Sequence, residues 1–352
     1  MAQSLKFDAS ALGLLTAAYY VGFGLISLPS GFLAAKIDTR KLAVYGLVSA
    51  SIAALLCSVA QELLGLVILR LAVGMGLAFF YAPALVLLTK ACRRGAEGLA
   101  TGLAFAAQSL GGVIGILGWA ILAEIIGWRL SFVIGGTVGM LMAFFIFIFV
   151  DRPSSYSQVK LPSIRVILND RMVIISFVLI GLQVSYGLVL SFAVYYLENV
   201  MSLAPSVAGS VTSLILVAAF FGSPIFGRAS DKSNKPRRLL LVSGAGAAIG
   251  LSMLALQSLL LAGLGALLVG FCSGGFAVAY DAARKLSGAA EEHQTLLYSW
   301  LLTVSFVGFF PFSIVFGWFA VSFGYAPAWM MGAALTLVLV APASMLLENR
   351  RH

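Results

Sequence analysis

Long apolar runs alternate with short polar segments along nearly all of this 352-residue chain. Eleven runs stand out, at roughly 12–35, 42–60, 65–90, 98–123, 128–150, 171–197, 206–227, 238–256, 259–280, 294–318 and 325–347. Crossing about 30 Å of hydrocarbon at about 1.5 Å per residue takes about 20 residues of helix. Lipid gives backbone groups no hydrogen-bond partner, so only helices or closed barrels can cross. The runs are continuous and rich in Leu, Ala and Gly, and they predict helices.

The polar segments between them carry the charge. The loops at 36–41, 90–97, 151–171, 228–238 and 281–293, with the C-terminus, hold 19 of the 22 Lys and Arg residues. Such a bias marks the cytoplasmic side of a multispanning protein. An odd number of spans then places the C-terminus inside and Met1 outside. Composition agrees: 61% of residues are hydrophobic and 10% charged, with a mean hydropathy of +1.05. A soluble fold could not cover its surface with so few polar residues. The net charge of +9 is read as orienting charge. No basic run is interleaved with aromatics in the manner of a nucleic-acid surface. Cys57, Cys92 and Cys272 form no CxxC, and His293 and His352 form no HExxH, so the sequence offers no metal site and no cofactor site.

The chain repeats itself. Gly31 and Lys36 match Gly227 and Lys232 at an offset of 196; Gly111 and Gly127 match Gly308 and Gly324 at 197. The polar segment 151–170, with Pro153 and Pro162, divides the copies. This predicts an N-terminal bundle over 1–150, a cytoplasmic linker over 151–170 and a C-terminal bundle over 171–352. Helix 171–197 has no counterpart in the first copy. The chain therefore reads as eleven helices of an expected twelve, with the first helix lost by truncation or by a start assigned late.

Two six-helix units, a linker and a basic motif after the second helix of each unit resemble the major facilitator superfamily. The second copy of the loop motif is Gly227-Arg228-Ala229-Ser230-Asp231-Lys232, closed by Arg237-Arg238. The first is Gly31-Phe32-Leu33-Ala34-Ala35-Lys36, where Ala35 replaces the acid and Asp38 is out of register. "LRLAVGMGLAFFYAP" (69–83) resembles the fourth helix with its arginine at Arg70, "SLGGVIGILGWAIL" (109–122) the glycine-rich fifth, and "GWRLSF" (127–132) the opening of the sixth. Antiporters of the family carry Gly-Pro in the fifth helix, where this chain has Gly115-Ile116.

The resemblance implies secondary transport of a small solute across the plasma membrane by alternating access, with no catalytic chemistry. It implies a gate built from Gly227, Arg228, Asp231, Lys232 and Arg237 in one copy and Gly31, Lys36 and Arg40 in the other. Most of these basic residues also serve as orienting charge. Asp231 is a lone acid among basic and small residues. Its candidate partners are Arg228, Arg237 and the helix beginning near Gly98, whose N-terminus favours an anion. Candidate cavity residues are Arg70, Tyr81, Gln108, Gln183, Tyr186, Tyr19 and Trp300. Each has a plainer reading as a snorkelling, belt or interhelical hydrogen-bonding group. Glu124, Glu198 and Asp281 read as solvated helix ends. The expected partners are the bilayer and a neutral, amphipathic or singly anionic solute, with the protein a monomer and the coupling ion, H⁺ or Na⁺, open. A non-transporting scaffold, receptor or inactive relative is the alternative. A membrane enzyme would need clustered acids or histidines at one face.

Overall fold

A computed structural model describes residues 9–34, 36–150, 169–233, 235–287 and 293–346. Ala35, most of the linker and the final six residues lie outside that set. The described residues form helices joined by short turns: α1 (Ala9–Leu33), α2 (Thr39–Cys57), α3 (Leu63–Ala91), α4 (Glu97–Ile125), α5 (Trp128–Phe149), α6 (Asp170–Asn199), α7 (Pro205–Lys232), α8 (Pro236–Leu254), α9 (Leu259–Cys272), α10 (Gly275–Leu286), α11 (Gln294–Phe323) and α12 (Tyr325–Val340), then a 3₁₀ turn over Ala341–Met345. Ten helical stretches are long and apolar enough to cross a membrane, and Ala18–Leu33 of α1 is a shorter apolar stretch. Large apolar side chains lie on the surface, Val321 at 88% exposure among them. In water this would be untenable; facing acyl chains it costs nothing.

The run at 259–280 differs from expectation. It is two helices, α9 and α10, and α10 continues to Leu286. The chain turns at Ser273 and Gly274, where the backbone of α7 at Gly222 comes too close for a side chain. The Ser243 hydroxyl donates to the Cys272 carbonyl, and the Ser273 hydroxyl donates to the Gly270 carbonyl at 2.6 Å. Breaks inside a membrane are tolerated where such groups meet the freed carbonyls.

Gly127 and Gly324, matched by the repeat, both have positive φ (83° and 91°) and both precede a helix, α5 and α12. An L-residue rarely adopts that conformation, so the turn requires glycine in each copy.

Packing groups the chain into two units. One comprises residues up to 87 with 114–167 and 289–303. In it α2 packs along α5, and Gly136 lies so close to Ser51 and Leu55 that a methyl group would not fit. Among its buried clusters are Leu15, Cys57, Leu66 and Phe132 in one, and Val44, Leu47 and Ala143 in another. The other unit comprises 88–113, 168–288 and 304–352. It holds a large core in which α6 meets α8 and α12. Trp329 and Phe316 pack at 4.9 Å between ring centres, and the Tyr196 hydroxyl donates to the Leu254 carbonyl at 2.8 Å.

Candidate functional site

The charge-rich segment after Gly227 is the last turn of α7. Asp231 points from it to the start of α4. Its Oδ1 accepts the Gly98 backbone N–H and its Oδ2 that of Leu99, each at 2.7 Å. The first N–H groups of a helix have no partner within it, and the helix dipole favours an anion there. One carboxylate thus satisfies two such groups through charge-assisted bonds. The approach depends on small residues. A Cβ on Gly98 would stand 2.7 Å from Asp231 Oδ1 and from the Gly227 carbonyl, and one on Gly227 would strike the Gly98 carbonyl.

Asp281 sits beside this contact, on α10. It is 1% exposed, so the expectation of a solvated helix end is overturned. Arg284 and Lys285 follow one turn later and fold back onto it. Arg284 Nη2 donates at 2.9 Å, Lys285 Nζ also donates, and the Ser230 hydroxyl donates from α7 at 2.6 Å. Arg284 also pairs with Glu97 of α4 at 3.4 Å. A chain of alternating charge therefore joins α4 and α10, Glu97, Arg284, Asp281, Lys285, and Ser230 ties α7 to it. Lys285 closes it by donating to the Ser230 carbonyl at 3.3 Å. Glu97 and Asp281 were not among the sequence-derived gate residues. The Asp-x-x-Arg-Lys spacing, which puts acid and base on one helix face, was the available signal. Just outside the spans, burial and then the carboxylates of Glu97 and Asp231 push the Cys92 thiol up.

Above these charges lies an aromatic layer. Phe105 of α4 meets Tyr280 at 5.3 Å and Phe276 at 6.0 Å, both on α10, and Phe276 meets Tyr186 of α6 at 6.2 Å.

Arg228 and Lys232 are exposed, and among the described residues no ion pair joins either to Asp231. Arg237 is half-buried at the start of α8.

The first copy of the motif is built differently. Gly31 packs against α11, where a Cβ would stand 2.8 Å from the Leu296 Cα and the Ser299 Cβ. The Ser30 and Ser299 hydroxyls are 3.4 Å apart, and Thr303 Oγ1 donates to the Gly24 carbonyl at 3.4 Å. Lys36 is exposed. Arg40 is buried; it donates to the Val150 carbonyl at 2.7 Å and lies 5.3 Å over the Phe147 ring. The structure thus places Arg40 on the carbonyl of Val150, the residue that caps the C-terminus of α5. Asp38 accepts from the Arg40 and Lys41 N–H groups at 2.8 and 3.4 Å and caps α2.

Of the cavity candidates, Arg70 lies 4.9 Å over the Phe132 ring, and Phe23 brings together Tyr19 at 6.3 Å and Tyr81 at 6.1 Å. Gln183 and Trp300 are half-buried and Gln108 is exposed. Among the described residues, no group of His, Cys, Asp and Glu has the arrangement of a metal site.

Residues 1–287 match the family model of the Major Facilitator Superfamily. A probable sugar efflux transporter of Helicobacter acinonychis (strain Sheeba) is 24% identical over 236 residues, 67% of this chain and 60% of the relative. One from Helicobacter pylori (strain P12) is 26% identical over 241 residues with the same coverage. The matched region thus spans about 60% of the length of these relatives. Among solved structures, the Escherichia coli fucose:proton symporter FucP superposes with a TM-score of 0.72 at 16% identity, over 96% of this chain and 91% of that one. The human organic anion transporter MFSD10 (TETRAN) superposes with a TM-score of 0.73 at 15% identity, over 97% and 87%. Glycine-paired helices, a repeated basic loop and a matching family model agree: the chain belongs to the major facilitator superfamily.

Proposed function

We propose that this protein is a secondary transporter that carries a small solute across the plasma membrane by alternating access. Residues 1–150 and 171–352 are the two bundles that rock, and the charged loops and C-terminus face the cytoplasm. Family membership and the loop charges support this reading. The observation that carries it is the Asp231 carboxylate on the Gly98 and Leu99 N–H groups. That contact ties a helix of the first repeat to one of the second without a covalent or apolar bond. Asp231 is half-buried, so water can replace both bonds when the helices part.

The solute is small and neutral, of sugar-like chemistry. The curated relatives named as probable sugar efflux transporters support this, as do the polar, uncharged residues Gln108, Gln183, Tyr186, Tyr19, Tyr81 and Trp300 within the apolar runs. The protein acts as a monomer, without a cofactor or a catalytic step. The test is uptake and counterflow of labelled neutral sugars in proteoliposomes, with proton and sodium gradients imposed in turn. Saturable flux that Asp231→Asn alters is the expected result. A folded protein that moves none of the panel under either gradient overturns the reading and favours the non-transporting scaffold.

A further inference from the structure

The first copy of the motif lacks its acid, and two exposed lysines adjoin in sequence the residues of an apolar groove. The repeat sets Ala35 opposite Asp231 and Lys36 opposite Lys232. Lys36 and Lys41 are exposed, and among the described residues neither is ion-paired. The Asp38 carboxylate is taken up by the N–H groups of Arg40 and Lys41. Arg40 is buried against Val150 and Phe147. Two exposed ammonium groups thus have no carboxylate partner among the described residues.

Beside them runs a groove of about 250 Å³. Leu33, Ile37, Leu42, Tyr45 and Phe79 wall it, and Gly46, set against the backbone of Gly76 and Phe80, forms its floor. Ser49 also lines it, but its hydroxyl donates to the Gly46 carbonyl at 2.9 Å, leaving no free donor there. Lys36 adjoins Ile37 in sequence and Lys41 adjoins Leu42, so both cations flank wall residues.

We propose that this groove holds one acyl chain of an anionic phospholipid whose phosphate lies on Lys36 and Lys41, so that the lipid supplies the charge that Asp231 supplies in the second repeat. An apolar groove whose wall residues Ile37 and Leu42 each follow an exposed lysine suits such a lipid in both parts. A zwitterionic lipid brings its own cation to the lysines and gains less. A lysine near an anionic lipid surface contributes about fivefold in binding, so two contribute about thirtyfold. Leu33 lies two residues beyond Gly31, so the bound lipid also steadies the end of α1 where it packs on α11.

The test is native mass spectrometry of the purified chain released from mixed micelles containing equimolar phosphatidylglycerol and phosphatidylcholine. A retained phosphatidylglycerol adduct is expected. The double variant Lys36→Gln/Lys41→Gln weakens it about thirtyfold, whereas Arg93→Gln/Arg94→Gln, which removes equal charge from another loop, leaves it intact. Ala35→Asp weakens it by supplying the missing anion, and Ser49→Trp abolishes it by filling the groove. Equal retention of the two lipids, or phosphatidylglycerol retention indifferent to Lys36 and Lys41, overturns the proposal. So does a dimer in place of a lipid adduct, since a second copy would then cover the groove.

Discussion

Gly227 against α4 and Gly31 against α11 occupy equivalent places in the repeat, and at the spacing that relates Gly111 to Gly308, Gly102 corresponds to Ser299. Both contacts rest on a glycine that lets one helix touch the next. They differ in what fastens them. The α7–α4 contact has a carboxylate on two N–H groups and, beside it, a buried aspartate with two cations. The α1–α11 contact has a long serine–serine approach and a long threonine–carbonyl bond. Close packing of small residues is therefore the shared device, and charge is an addition made in one copy. The two contacts share a shape and differ in what fastens them.

The comparison can be broken at several points. The largest effect is expected at Asp281. Asp281→Asn leaves Arg284 and Lys285 facing a buried amide. The loss should be about 3 kcal/mol, the lower part of the range for breaking a buried pair, because the two cations keep side-chain exposures of 20% and 35%. Thermal unfolding in detergent would show it, and an unchanged midpoint would mean the network does not support the α7–α10 packing. Asp231→Asn comes next. An amide can still accept one N–H but loses the charge, a cost of about 2 kcal/mol. Ser299→Ala, in the other contact, should cost about 0.5 kcal/mol or less, since its bond is long at 3.4 Å. If Ser299→Ala proved as damaging as Asp231→Asn, the asymmetry between the two contacts would be wrong.

Much of this was legible in the sequence because lipid imposes so few solutions. The length of the apolar runs predicts the spans, loop charge predicts the orientation, and three glycine pairs at offsets of 196 and 197 predict the repeat. Asp231 could be read because an acid alone among bases needs a partner and a helix N-terminus lay within reach. Asp281 was read as solvated although its partners stand at i+3 and i+4. The spacing was visible, but burial by Ser230, 51 residues away, was not. Arg40 was grouped with the gate because it belongs to the motif; its acceptor, the Val150 carbonyl, is 110 residues distant and carries no sequence signal. The break between α9 and α10 escaped notice because Ser273-Gly274-Gly275 is equally at home in an unbroken membrane helix of close-packed small residues.

The central claim is that the Asp231 carboxylate fastens the N-terminus of α4 in a way α11 is not fastened. Hydrogen–deuterium exchange of the Gly98 and Leu99 amides, with residues 295–303 of α11 as the internal reference, tests it most directly. In Asp231→Asn those two amides should exchange at least about tenfold faster, the equivalent of about 1.4 kcal/mol, while the α11 amides keep their rates. Unchanged exchange at Gly98 and Leu99, or an equal rise in both helices, would contradict it.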